Sequence, residues 1–293
     1  MHARAAAATI TALLGAAVVL PLPAAHADGS GDRTGRPLVV AHRGASAQAP
    51  ENTLAAVDRA ARLGFRWVEN DVQRTKDGTL VVVHDDNLAR TTDVEEVFPG
   101  RAPWKVKDFT AAEIARLDAG SWFSPRYEGE RVPTLKQYMD RVSHNHQKLV
   151  LEIKNPSLYP GIEQETLKLL SNEGWLGPSH VRNKLVVQSF DANSLRTVHE
   201  LRPDVKTGFL GTPPVSELLD HARFADQINS SHTTISLGYV AAIQALEGPH
   251  GRPLEILTWT VDTAEGARRV ADLGVDGIIT NKPDVVREAL REG

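Results

Sequence analysis

The chain has 293 residues, with 33 lysines and arginines against 37 aspartates and glutamates. The formal net charge of −4 offers no positive field for gripping nucleic acid. There is no cysteine, so disulfides contribute nothing to stability, and beyond the first residues no apolar run approaches membrane-spanning length.

Residues 1–27 read as a cleavable secretory signal. Arg4 gives a weakly basic start, Ala5 to Leu20 is almost wholly apolar, and Ala25-His26-Ala27 fits a small-x-small cleavage site. No twin arginine precedes the apolar stretch, which favours general secretion. Pro21 and Pro23 argue against a retained anchor. The expected product is a secreted protein beginning near Asp28, with 28–36 a small, polar, flexible leader. Residues 37–293 match the roughly 250 residues usual for a (β/α)8 barrel.

Short β-rich runs then alternate with helical stretches, the pattern of a parallel α/β fold. Strands are expected at 38–42, 67–73, 80–84, 149–154, 184–189, 206–210, 226–229, 255–261 and 276–280. Helices are expected at 52–63, 162–172, 193–201 and 264–273. Nine strands compete for eight barrel places. Asp77-Gly78 is a two-residue hairpin signal, so the strand ending at His84 should fold back antiparallel on its predecessor. Closing that turn with Lys76 against Thr79 sets Asp71 opposite His84. Residues 86–147 are too long for an ordinary connection and read as a small insertion, with helices from Thr110 and from Thr134. Its aromatic residues Trp104, Trp122, Phe123 and Tyr127 are expected to form a local mini-core, and secondarily a lip over the mouth.

Ionisable residues close these apolar runs. His42 and Arg43 follow the first, Glu69 and Asp71 end the second, His84 ends the third, and Glu152 and Lys154 end the fourth. Residues two apart on a strand share a face, so Glu69 and Asp71 point together, as do Glu152 and Lys154. Three converging carboxylates suit a hard divalent cation. Two imidazoles can act as acid and base, and Arg43 and Lys154 can hold a phosphate or merely neutralise the carboxylates. Trp259 is either core packing or a wall of the pocket. Asn52 and Thr53 are expected to cap the following helix. Asn229-Ser230-Ser231 matches a glycosylation acceptor, weakly because it falls at a strand end.

The ordered series His42-Arg43-Gly44, Pro50-Glu51-Asn52-Thr53, Glu69-Asn70-Asp71-Val72, Thr75-Lys76-Asp77-Gly78, His84-Asp85, Arg90-Thr91-Thr92, Leu151-Glu152-Ile153-Lys154 and Gly274 to Asn281 resembles the glycerophosphodiester phosphodiesterase family. The resemblance runs from about Val39 to Val286. It implies a (β/α)8 TIM barrel that hydrolyses glycerophosphodiesters to glycerol 3-phosphate and an alcohol. By the same resemblance His42 and His84 are the catalytic pair, and Glu69, Asp71 and Glu152 hold one divalent cation, calcium favoured and magnesium possible. Arg43 and Lys154 hold the phosphate, with Trp259 added as a substrate contact. Asn281 stands where relatives often have aspartate, a departure that puts no catalytic role in doubt. The expected partners are small-molecule glycerophosphodiesters, without nucleic acid or a stable membrane span, and no oligomeric state is assigned. Two rivals stand beside this reading: a related barrel enzyme acting on lysophospholipids or sphingolipids, and a barrel that binds phosphodiesters without cleaving them.

Overall fold

The computed structural model describes residues 35–292. The expected signal segment, and the leader apart from Gly35 and Arg36, lie outside the described residues. Nine strands follow in chain order: β1 Leu38–Ala41, β2 Trp67–Arg74, β3 Leu80–Val82, β4 Lys148–Ile153, β5 Leu185–Ser189, β6 Lys206–Leu210, β7 Gln227–Ser231, β8 Glu255–Trp259 and β9 Gly277–Thr280. Eight of them pair in parallel in the order β1-β2-β4-β5-β6-β7-β8-β9, and β9 returns to β1. The fold is therefore a closed (β/α)8 barrel. Helices Leu54–Arg62, Ile162–Asn172, Ala192–Leu201 and Ala264–Asp272 lie near the expected positions. Among the described residues, no helix is long and apolar enough to cross a membrane.

The ninth strand is β3, and it pairs antiparallel with β2 outside the barrel, as the Asp-Gly signal predicts. The register differs by one residue from the expected one. Thr75 N donates to Thr79 O at 2.9 Å, and Val83 N donates to Asp71 O at 3.0 Å, so Asp71 faces Val83 and not His84. The cause lies in the turn. The Asp77 carboxylate accepts from Thr75 Oγ1 at 2.6 Å, and Gly78 sits at φ 85°, which closes a three-residue loop in place of a two-residue one.

Strand alternation sorts side chains into two layers. Outward positions such as Val68, Leu149, Leu151 and Val187 pack under the helices. Inward positions Val40, Trp67, Val150, Val186, Leu257 and Ile279 fill the lower half of the barrel. Two residues further along the same strands, the inward positions become Glu69, Glu152, Gln188 and Trp259, so the upper half is polar. On β6 the interior position is Gly208, where a Cβ would come within 2.7 Å of Asn229 Nδ2.

Between β3 and β4 the chain builds a satellite core from Leu88, Val94, Val106, Phe109, Ile114 and Leu117 against Val81 and Val83 of the hairpin. The helix Leu135–His144 belongs to the barrel instead, burying Leu135, Tyr138, Met139 and Val142 in the main core. Trp122, Phe123 and Tyr127 stack edge to face at 5.7 and 5.8 Å, apart from the satellite core. Tyr127 Oη donates to Gln48 O at 2.8 Å, which ties the insertion to the loop after β1.

Leu149 is fully buried between β4 and the helices. Leu149→Ala should lower unfolding free energy by about 2–5 kcal/mol, the usual cost of a cavity at such a position. Urea unfolding reads this directly, and a change below 1 kcal/mol on the same scale would contradict the packing described.

Candidate active site

Strands β2 and β4 deliver the acidic cluster. Glu69, Asp71 and Glu152 each place a carboxylate oxygen within 4.8 Å of the others, and all three side chains are buried. Cross-strand register explains the meeting, since Asp71 and Glu152 are direct partners on β2 and β4. Arg43 faces this cluster from the end of β1. Its Nε lies 3.2 Å from Asp71 Oδ2, and its backbone N–H donates to Glu69 Oε2 at 3.0 Å. Arg43 adopts φ 56°, an unusual value for a non-glycine residue, and Gly44 follows at φ 78° because a Cβ there would strike Ala56 at 2.6 Å. Lys154 sits 3.0 Å from Glu152 Oε1 and 3.8 Å from Asp71 Oδ1.

Charge in this dry setting is unevenly tolerated. Burial first, then Asp71 and Glu152, push Glu69 well above the ordinary carboxylate range. Burial and Asp71 likewise push Glu152 up to about 8. For Asp71 burial acts upward too, but Arg43, His84 and Lys154 outweigh it and hold this carboxyl below its usual value. Asp71 Oδ1 and Glu152 Oε1 are buried without a well-formed hydrogen bond; their partner is the Lys154 ammonium, an ion-pair contact at 3.8 and 3.0 Å. Oxygen donors of this kind fit a hard divalent cation.

The two histidines flank the cluster with different supports. His42 Nε2 is 3.9 Å from Glu69 Oε2, and its Nδ1 is 2.7 Å from Asn281 Oδ1. Asp262 fixes that amide: it accepts from Asn281 Nδ2 at 2.7 Å and from Asn281 N at 2.8 Å. The amide oxygen therefore faces His42 and can only accept, so the proton sits on Nδ1 and Nε2 is left bare. Burial and Arg43 push His42 down to about 4. His84 Nδ1 instead lies 2.7 Å from Asp85 Oδ1. Arg90 grips Asp85 through Nε at 2.6 Å and Glu51 through both terminal nitrogens at 2.8 and 2.7 Å. Glu51 in turn accepts from Arg43 at 2.8 Å. Gln73 donates to the backbone carbonyls of Val83, His84 and Asp85, which pins the segment carrying His84.

The wall opposite is aromatic. Trp259 Nε1 donates to Asn229 O at 2.7 Å, and its ring meets Phe190 edge to face at 5.6 Å. Phe190 also lies 5.6 Å below the Lys154 ammonium. Trp259 is thus a wall residue of the mouth more than core packing. Asn229 is fully buried and donates to Gln188 at 2.9 Å, so it is inaccessible to glycosylation.

Residues 42–285 match the profile of the glycerophosphoryl diester phosphodiesterase family. The chain belongs to this family. It is 38% identical over 258 residues to the glycerophosphodiester phosphodiesterase of Caldanaerobacter subterraneus subsp. tengcongensis, covering 87% of this chain and 98% of that one. It is 35% identical over 263 residues to a Bacillus subtilis protein of the same name, covering 85% of each. Among solved structures, an Oleispira antarctica phosphodiesterase in complex with the product sn-glycerol-3-phosphate superposes with a TM-score of 0.76 at 30% identity, covering 87% of this chain and 97% of that one.

For this glycerophosphoryl diester phosphodiesterase family member, the structure brings His42, His84, Arg43, Lys154, Glu69, Asp71, Glu152 and Trp259 to one mouth. Sequence reasoning missed a supporting layer. Asn52 was expected to cap a helix; Thr53 does so, accepting from Ala56 N at 3.3 Å. Asn52 takes φ 60° and donates to Asp71 Oδ2 at 2.8 Å. Asn281, a departure from the motif that puts no catalytic role in doubt, holds His42 directly, a contact the sequence does not announce. Glu51, Asp85 and Arg90 stood inside the quoted motifs, but motif spacing carries no contact information.

The raised carboxyls set a sign for stability. In metal-free protein Glu69 and Glu152 keep their protons in the folded state above pH 4.5, where the unfolded chain has lost them, and Glu152 does so up to about pH 8. Metal-free melting temperature should therefore fall as pH rises from about 4.5 to about 8. A divalent cation should raise it most at the alkaline end, because binding requires the ionised forms. A cation effect that is absent, or largest at pH 4.5, would show that these carboxylates do not share an ion.

Proposed function

We propose that the protein hydrolyses glycerophosphodiesters to glycerol 3-phosphate and an alcohol, with His42 accepting the first proton and His84 delivering one to the leaving alcohol. The observation that carries the reading is the unlike support of the two rings. The Asp262–Asn281 pair holds His42 with Nε2 free to accept, and His84 has a carboxylate, Asp85, at 2.7 Å from Nδ1 in place of an amide.

In the route implied by the family, the neighbouring glycerol hydroxyl attacks phosphorus. His42 Nε2 takes its proton as the new O–P bond forms. The bond from phosphorus to the alcohol breaks, and His84 protonates the departing oxygen. Water then opens the cyclic phosphate with the proton roles reversed. Intramolecular attack gains from effective molarities of about 10⁵–10⁸ M. Arg43 and Lys154 offset charge on the phosphoryl oxygens. A divalent cation held by Glu69, Asp71 and Glu152 would supply further positive charge there when bound. Calcium is favoured over magnesium because residues 1–27 carry an export signal and a secreted chain meets calcium; N-terminal sequencing of exported protein and metal analysis of the purified chain test both points.

His42→Ala and His84→Ala should each cut kcat by about 10²–10⁴-fold. The two should part company on a substrate whose leaving group needs no proton, such as glycerophospho-p-nitrophenol. His84→Ala should recover most of its loss there, and His42→Ala should not. Recovery by His42→Ala instead would reverse the assignment, and wild-type rates in either variant would end it.

One observation favours the lysophospholipid reading as a second activity. Phe190 (51%), Val215 (58%) and Leu237 (63%) stand exposed on segments that follow β5, β6 and β7 at the catalytic end. If this edge contacts acyl chains, kcat/KM for a short-chain lysophosphatidylcholine should exceed that for glycerophosphocholine, and Leu237→Ser should erase the difference. Equal values in the parent protein would remove this reading.

A further inference from the structure

The opposite end of the barrel carries a charge pattern that catalysis does not use. Arg66 precedes β2, Lys148 opens β4 and Lys184 precedes β5. Lys148 N donates to Arg66 O at 2.6 Å and Leu149 N donates to Lys184 O at 2.8 Å, so these three cations sit side by side on adjacent strands. Arg36, ahead of β1, joins Arg66 in lining a cavity of about 260 Å³ floored by Leu38 and Trp67. Arg182 extends the row past β5. Arg36, Arg66 and Arg182 are exposed, and none of the five makes an ion pair among the described residues. The partner of Lys148 is the Trp67 ring at 5.2 Å, and burial together with Arg66 and Lys184 pushes its ammonium below the ordinary value.

Like charges on neighbouring strands are unfavourable, and among the described residues no carboxylate pairs with them. The acids lie on the other half of this mouth: Asp226 before β7, Glu255 on β8 where it neutralises Lys206 at 3.4 Å, and Asp276 before β9. At strand spacings of about 4.8 Å the cationic row spans roughly 15–20 Å, too broad for one small anion. No large hydrophobic side chain stands exposed among the residues that open β1, β2, β4 and β5. The face is therefore suited to electrostatic adsorption and not to insertion.

We propose that the amino-terminal mouth of the barrel, through Arg36, Arg66, Lys148, Arg182 and Lys184, docks the protein on an anionic phospholipid surface with the catalytic mouth turned toward the aqueous phase. The choice of a lipid surface rests on the proposed activity: glycerophosphodiesters are glycerophospholipids without their acyl chains, so they arise at such surfaces.

The test uses the full chain and sedimentation with vesicles of equal parts phosphatidylglycerol and phosphatidylcholine at low salt, with pure phosphatidylcholine vesicles and duplex DNA as comparisons. Binding should appear only on the phosphatidylglycerol vesicles and weaken with added salt. R66Q/K148Q/K184Q should weaken it by about 10²-fold, from roughly five-fold per surface cation. R66Q/K184Q, which leaves Lys148 on Trp67, should lose about 10-fold or more and guards against a folding defect. Hydrolysis of glycerophosphocholine in solution should be unchanged in both. Equal binding to both vesicle types, parental binding by the variants, or tighter binding to DNA through the same side chains would overturn the docking assignment. Binding is read without substrate, so a failure of the hydrolysis reading would show separately.

Discussion

Everything at the catalytic mouth depends on holding three carboxylates together in the dry interior of a barrel. Glu69, Asp71 and Glu152 lie within 4.8 Å of one another with almost no access to water. Unrelieved, that arrangement is strongly unfavourable, since charge loses its hydration and like charges repel. Arg43 and Lys154 reduce the cost for Asp71, and protonation or a cation must do so for the two glutamates. The same instability makes a binding site for a divalent ion, because the oxygen donors are already gathered and have few competing partners. A barrel suits this task. Its strands are fixed by neighbours on both sides, so the donors cannot drift apart to relieve repulsion.

The cations are positioned by a second constraint, a chain of charge-assisted bonds running Arg43–Glu51–Arg90–Asp85–His84. It links Arg43, which faces the acidic cluster, to the more exposed of the two histidines. Such bonds are short and strong because at least one partner in each is ionised. Asp85 is held near 2: burial opposes ionisation, but Arg90 and His84 outweigh it. It is therefore a carboxylate at neutral pH. The His42 side is built from neutral groups in contact with the ring, with Asp262 one bond further away. The asymmetry between the rings is thus structural, and it needs no difference in their own chemistry.

The two ends of the barrel divide the labour of the inward-facing positions. Apolar residues occupy the lower half and stabilise the fold, while two residues further along each strand the side chains turn polar and serve the site. The β2–β3 hairpin extends this logic beyond the barrel wall. It carries His84 over the rim, and the satellite core under Val81 and Val83 keeps it there.

Much of this was legible in the chain itself. All nine strands, the antiparallel hairpin and the seven ionisable residues of the central site were legible from apolar runs, the Asp77-Gly78 turn signal and the ionisable residues that close those runs, because strand period and parallel pairing bring such ends to one rim. What the sequence did not decide were contacts set by a single turn or a single rotamer. The hairpin register depended on Gly78 and the Asp77 side chain closing a three-residue loop. Asn52 left its capping role because φ 60° aims its amide at Asp71. Asn281 became a partner of His42 because Asp262, nineteen residues before it in the chain, accepts from its side-chain and backbone N–H groups and holds the amide in place. Local chemistry fixes which side chains reach the mouth; only tertiary packing decides which of them touch, since hydrogen bonds act over a few ångströms that spacing along the chain does not measure.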